Sequence, residues 1–219
     1  MKQWVIPKGQ SAEFVCRMEA VLSVYERRYE EQHPVICLDE SPRQLIEVGQ
    51  ERKADGSLVQ DSEYVRRGVA EMYMAFEPLA GKRYVRIEDN HTAKTWVKVV
   101  AALLDNEYKD CPTITLVEDN LTAHRPCTFY EVYEPATAKA YLDRIEFVFT
   151  PKHGSWLNMA EIELSVLERD CKGSFETKEK LLEHLHHWQQ QRNEKQVKAN
   201  WQFTDKEARI RLKKLYPTI

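Results

Sequence analysis

Two short runs of β-branched and apolar residues each stop on a pair of acids. VICL (35–38) runs into Asp39 and Glu40, and TITLV (113–117) runs into Glu118 and Asp119. Apolar runs of this kind belong in central strands covered on both faces, so the chain is expected to build a sheet between layers of helix. Ligand sites in such sheets gather at strand ends, where side chains leave the core. Carboxylates brought together there raise one another's pKa unless a cation lies between them. Oxygen ligands suit a hard divalent ion, Mg²⁺ or Mn²⁺. The plainer alternative is that both pairs are solvated turn residues.

The flanking sequence fits the same plan. Phe14, Met18, Val21, Leu22 and Tyr25 recur at helical spacing, which predicts a helix over 11–31 ended by Pro34. Residues 43–63 are polar, with ADGS (54–57) marking a turn, and read as an irregular excursion. Strand-like pieces follow around 64–70, 71–79 and 82–90, with Pro78 to Gly81 as a hairpin turn. Trp96, Val99, Val100, Leu103 and Leu104 predict an amphipathic helix over 92–104. Then come a partly helical 126–143, a strand at 144–151, and helices near 157–169, 177–195 and 204–215. Three or four strands in series, then helix, strand, helix, strand, helix, make one α/β domain: a mixed sheet flanked by helices.

Composition narrows the function classes. With 42% hydrophobic and 31% charged residues in 219, the chain is an ordinary globular mixture, not collagen-like or wholly disordered. No apolar run approaches the roughly 20 residues of a membrane helix. The N-terminal sequence carries no signal-peptide pattern, so no membrane partner and a cytoplasmic location are expected. Cys16, Cys37, Cys111, Cys127 and Cys171 are odd in number and form no CxxC pair, which argues against a disulfide framework or zinc ribbon. A net charge of −3 gives no global attraction to nucleic acid, so a DNA-handling chain would need local basic patches.

A third acid lies within GSWLNMAEIELSVLER (154–169). Leu157, Ala160, Leu164 and Leu167 define the apolar stripe of a helix there. Glu161 and Glu163 fall on opposite shoulders of the stripe, each roughly 80° from its centre. Periodicity does not choose between them. Glu168 reads as solvated.

The order CLDE (37–40), EDNLTAH (118–124) and TPKHGSWLNMAEIELSVL (150–167) resembles the catalytic domain of bacterial insertion-sequence transposases, the prokaryotic branch of the Tc/mariner superfamily. EPLAGKRYV (77–85) and WQFTDKEARIRLKKLYP (201–217) are similar to the same family, so the likeness covers nearly the whole chain. The resemblance implies an RNase H-like fold and a DDE triad, which falls on Asp39, Asp119 and Glu161. Glu161 is preferred to Glu163 because LNMAE matches the family segment whose last Glu is the ligand. It also implies two Mg²⁺ (or Mn²⁺) ions, with Asp39 bridging both, Asp119 holding one and Glu161 the other. Their chemistry is in-line attack on phosphodiesters by water and then by a DNA 3′-hydroxyl. The expected function is therefore that of a metal-dependent DNA transposase, an endonuclease and strand transferase that moves an insertion sequence as a homodimer on DNA. The alternatives are a simple RNase H-like nuclease and a catalytically silent, transposase-derived DNA-binding or regulatory protein.

The resemblance also marks secondary residues. Asn120 and His124 belong to EDNLTAH and are assigned to shaping the metal site or touching DNA, with capping of the next turn as the alternative. Lys152, His153, Ser155 and Trp156 form a loop suited to phosphate contacts, with Trp156 either stacking on a base or plugging the core. The basic stretch Lys206 to Lys214 either tracks a phosphate backbone or is a solvated face. His184, His186 and His187 read as an exposed helix face, and Trp188 and Trp201 as core. Residues 1–31 are expected to form a linker and N-terminal helix, and 32–219 the RNase H-like DDE catalytic domain with a C-terminal helical tail. Family members also carry an N-terminal helix-turn-helix region. The 38 residues ahead of Asp39 leave room only for a linker and one helix. Recognition of transposon ends is then expected to be supplied elsewhere, at the nucleoid of a bacterial cytoplasm: by a separate helix-turn-helix partner chain if this is the second of two reading frames, the alternatives being a trimmed chain or the remnant of a decayed element.

Overall fold

Helix α1 (Ala12–Tyr25) starts where Ser11 accepts the Phe14 N–H at 3.2 Å, and it buries Phe14, Met18, Val21 and Leu22 on one face. The computed structural model describes residues 9–52 and 58–218. The helix ends at Tyr25 and not at Pro34, because the charged residues after it offer nothing to the core. Arg27 turns out to pair with Glu146 at 2.6 and 2.8 Å.

Strands β1 (Val35–Arg52), β2 (Leu58–Glu77) and β3 (Lys82–Glu88) form an antiparallel meander. Helix α2 (Ala93–Ala102) runs on into a π-turn at Leu103–Glu107. It leads to β4 (Ile114–Glu118), the short helices α3 (Phe129–Val132) and α4 (Pro135–Leu142), and β5 (Ile145–Phe149). Helices α5 (Met159–Asp170), α6 (Lys178–Glu194) and α7 (Asp205–Arg211) complete the chain. The sheet order is β3-β2-β1-β4-β5, with β4 parallel to both of its neighbours. This is the mixed sheet flanked by helices that the element order predicts. Among the described residues, no helix is long and apolar enough to cross a membrane.

The polar stretch after Asp39 is strand and not irregular. β1 and β2 pair from Cys37↔Phe76 out to Arg52↔Leu58, and the two expected pieces at 64–70 and 71–79 belong to one strand. The ADGS turn lies outside the described residues. The ribbon escapes a periodicity test because Tyr64, Val65 and Val69 are exposed on it, so no buried face imposes alternation. Its register shifts between Leu45 and Ile46, opposite Gly68, whose φ of +112° is open to glycine and strained for other residues. The Pro78–Gly81 turn forms as expected, with Gly81 at φ +70° donating to the Glu77 carbonyl at 2.9 Å.

Alternation along the strands sorts the core into two layers. Cys37, Met72, Met74 and Phe76 face α1, α5 and α6, among Met18, Leu164 and Leu185. Ile36, Leu38, Tyr73 and Leu116 face α2 and the short helices, among Trp96, Val100 and Phe129. Trp188 is buried in the first layer and Trp201 packs against it, as expected of core residues.

Candidate active site

The ladder between β1 and β4 is short: Val35↔Thr115, Ile36↔Leu116 and Cys37↔Val117. Beyond it β1 continues with β2 alone while β4 stops at Glu118, so the two acidic pairs flank a split in the sheet. Asp39 is thus not at a strand end, as the sequence suggests. It lies inside β1, opposite Met74, where the strand loses its second neighbour. Asp39 faces the α5 layer and Glu40 the α2 layer.

The third acid rides on α5. Asn158, fully buried, accepts the Ala160 N–H at 3.1 Å through its side-chain oxygen, which caps the helix. Its amide nitrogen donates to the Leu38 carbonyl at 2.8 Å. One side chain therefore joins the helix of Glu161 to the strand of Asp39. Asn158→Ala removes the cap and leaves a buried carbonyl without its donor, so unfolding in urea should show a loss of about 2 kcal/mol.

The two glutamates that periodicity leaves equivalent are separated by their partners. Glu163 is buried, with Arg83 Nε at 2.9 Å and Arg192 Nε at 2.6 Å from the same oxygen. Glu161 instead lines an open polar cleft of about 200 Å³ with Asp39, Glu40, Ser41, Ser155, Ser165 and Glu168. Glu168 is exposed, as expected, and accepts from Ser41 Oγ at 3.3 Å.

Burial, then the neighbouring carboxylates of Glu40 and Asp119 and more weakly Glu161, pushes the Asp39 carboxyl up to about 8. The Glu40 N–H, donating to Asp39 Oδ1 at 2.9 Å, works the other way. Asp119 sits in this field, but its Oδ1 lies 2.9 Å from His124 Nδ1. The N–H itself is aimed at the main-chain carbonyl of Asp119, at 3.1 Å. His124 Nε2 lies 3.4 Å from Glu40 Oε2, and its ring stacks on Trp96 at 5.5 Å. Trp96 Nε1 donates to Glu118 at 2.8 Å. Burial pulls the imidazole's pKa down, but Asp119, Glu40 and Glu118 outweigh it and raise it to about 11. Glu118, fully buried, is pushed up to about 8 by desolvation, against the pull of His124 and Trp96.

Asp39 and Glu161 thus share one cleft, with Asp119 beside it and turned to His124. The expected three-carboxylate cluster is not preformed: among the described residues, no three Asp, Glu, His or Cys side chains close into a set able to hold a metal ion. Like-charged carboxylates repel, and Asp119 takes the imidazole instead. The donors nevertheless fit a hard divalent cation. Asp119 Oδ1 and Glu40 Oε2 are buried with only the His124 ring beside them, and burial with the neighbouring carboxylates raises the Asp39 pKa, a conflict that a cation would relieve.

The other marked residues divide. Ser155 lines the cleft, while Lys152, His153 and Asn120 are exposed on the adjoining loops. Trp156 packs on Trp201 at 6.5 Å and Phe203 at 6.1 Å, which is the plug and not the base-stacking arrangement. His124, only 5% exposed, is too enclosed for DNA contact. Sequence reasoning missed Asn158 as a tie and Arg83 as the partner of Glu163. The one available signal was Asn158 itself, an N-cap residue just ahead of the apolar stripe.

The family model described as DDE superfamily endonuclease matches residues 34–182. Among solved structures, the chain is similar to the Mos1 mariner paired-end complex with Mn, at 13% identity and TM-score 0.56 over 90% of this chain and 62% of that one. It is also similar to the Mos1 strand transfer complex, at 13% and 0.55 over 90% and 64%. The Mos1 paired-end complex with Mg matches at 14% and 0.55 over 100% and 67%. At these identities the likeness is one of fold, the RNase H-like fold, and the chain spans less than two thirds of the first two. No curated protein sequence matches it.

Proposed function

The chain belongs to the DDE superfamily endonucleases, and from that membership we propose that it is the catalytic domain of a Tc/mariner-type DNA transposase that cuts and joins the strands of a bacterial insertion sequence. Asp39, Asp119 and Glu161 are the acids that would hold divalent metal, two ions of Mg²⁺ or Mn²⁺. The observation that carries this reading is the gathering of Asp39, Glu40, Asp119 and Glu161 at the split between β1 and β4, where burial first and the neighbouring acids second raise the Asp39 pKa to about 8. When bound, the ions supply Lewis acidity and charge neutralisation for in-line displacement at phosphorus.

The protein's own residues prepare the site. Asp39 is half-buried on the cleft, so its charge is less screened than on the open surface and attracts a cation more strongly. Asn158 fixes the approach of α5, and with it Glu161, to β1. Ser155 on the cleft rim and the exposed Lys152 and His153 beside it offer donors to a DNA phosphate. Residues 32–219 act as the catalytic unit and 1–31 as the segment ahead of it, whose helix α1 packs on the α5 layer through Phe14, Met18 and Leu22, while the linker expected before α1 lies largely outside the described residues. The partner is DNA, engaged as a homodimer in the bacterial cytoplasm, with a helix-turn-helix region as the reader of transposon ends. The Mos1 neighbours are themselves paired-end and strand-transfer complexes, which supports a DNA partner.

One observation favours the catalytically silent alternative: the three acids do not form a closed cluster. Mn²⁺- or Mg²⁺-dependent nicking of a DNA duplex separates the two readings. Cleavage by the wild type that falls by at least about 10²-fold in Asp119→Ala supports the enzyme. DNA binding without metal-dependent cleavage supports the silent protein.

A further inference from the structure

We propose that His124 is the positioning residue of Asp119 and that its Nδ1, at the split between β1 and β4, is what sets this carboxylate for metal; the inference rests on the metal-site reading above. The need for a clamp follows from the topology. The β1–β4 ladder stops at Cys37↔Val117 and the β4–β5 ladder at Glu118↔Phe149, so the sheet orients Asp39 but leaves Asp119 on the loop just past both ladders. Metal ligands in such a place depend on outer partners to hold them, and removal of those partners commonly costs about 10–100-fold in affinity.

His124 has the geometry of that partner. One ring nitrogen serves the β4 side: Nδ1 donates to the Asp119 carbonyl at 3.1 Å and lies 2.9 Å from Oδ1. The other serves β1: Nε2 lies 3.4 Å from Glu40 Oε2. The loop between them is folded back by the His124 N–H, which donates to the Leu121 carbonyl at 3.1 Å. The ring cannot drift, because its face rests on Trp96 and Trp96 is pinned to Glu118. The Asp119 oxygen at His124 is enclosed, while the side chain as a whole is 28% exposed, so the rest of the carboxylate remains accessible. Asn120, next in sequence to Asp119, is exposed, whereas His124 is enclosed on all sides.

The test compares three substitutions by Mn²⁺ titration of the full chain, with thermal melts to confirm folding. His124→Phe keeps the stack on Trp96 and loses both nitrogens. His124→Asn retains an N–H near the place of Nδ1, and His124→Gln one near the place of Nε2. The expected result is about 10-fold or greater weakening in Phe and Gln, with most of the affinity recovered in Asn. A purely structural role would weaken Asn and Gln alike, and that result would overturn the proposal. Unchanged or tighter binding in Phe would also overturn it, the latter by showing that His124 competes with the ion. If Phe does not fold, the contrast between Asn and Gln decides. Asp39→Asn separates this proposal from the reading beneath it. Wild-type Mn²⁺ binding that is lost in Asp39→Asn but indifferent to His124 removes the clamp alone. Wild-type binding that is absent, or that ignores Asp39→Asn, removes the metal site and the clamp with it.

Discussion

Asp39→Asn is expected to abolish metal-dependent cleavage and, in the presence of a chelator, to make the protein more stable above about pH 4. The two effects have one origin. The carboxyl is displaced from 3.8 to about 8 by burial and by the charges of Glu40, Asp119 and Glu161. Between those values the folded chain binds a proton that the unfolded chain does not, so stability falls as pH rises through the interval. An amide has no charge to desolvate, so the variant should lose that pH dependence. At pH 8 its melting temperature should exceed the wild type's by several degrees, the response of a domain this size to about 1–2 kcal/mol. Adding Mn²⁺ should stabilise the wild type and leave the variant unmoved. Melts at pH 5 and 8, with chelator and with metal, check all three statements. Equal pH dependence in both proteins would show that Asp39 does not carry the charge conflict.

The second large effect lies away from the cleft. Arg83→Met should destabilise the fold by about 3–5 kcal/mol, read as a fall in the urea midpoint. Arg83 is fully buried and donates to Glu163 at 2.9 Å and to the carbonyls of Gly81 and Val197 at 2.7 Å each. Its guanidinium also lies 4.7 Å from the centre of the Phe76 ring. Removing it leaves two carbonyls without their donor and Glu163 dependent on Arg192 alone. Adding Glu163→Gln to Arg83→Met should recover part of the loss, because the charge left underpaired is then gone. A double variant as unstable as the single one would locate the cost in the carbonyls and not in the ion pair.

What could be read from sequence followed from burial. VICL and TITLV declare central strands because both faces of those strands are covered, and α2 and α5 show their apolar stripes because each has one wet side. The ribbon beyond Asp39 was invisible because its strand conformation rests on a backbone ladder, which side-chain periodicity does not record. The end of α1 was misplaced by trusting Pro34 as the stop, although the apolar stripe is already exhausted at Tyr25. At the candidate site, the acids were conspicuous and their company was not. Glu161 and Glu163 have equivalent phases, and only Arg83, eighty positions from Glu163, tells them apart. For His124 the sequence left shaping the metal site, touching DNA and capping a turn side by side, because nothing local shows that Trp96 covers it.

The strand that carries Asp39 has no joint between that residue and the outer ribbon. β1 runs unbroken to Arg52, and its pairing with β2 keeps one register from Cys37 to Leu45 before it first shifts, opposite Gly68. In mechanical terms Asp39 stands at the built-in end of a beam whose first compliant point is that glycine. A load on the paired strands beyond Gly68 bends the beam there first, while the root, and the carboxylate on it, keeps its place.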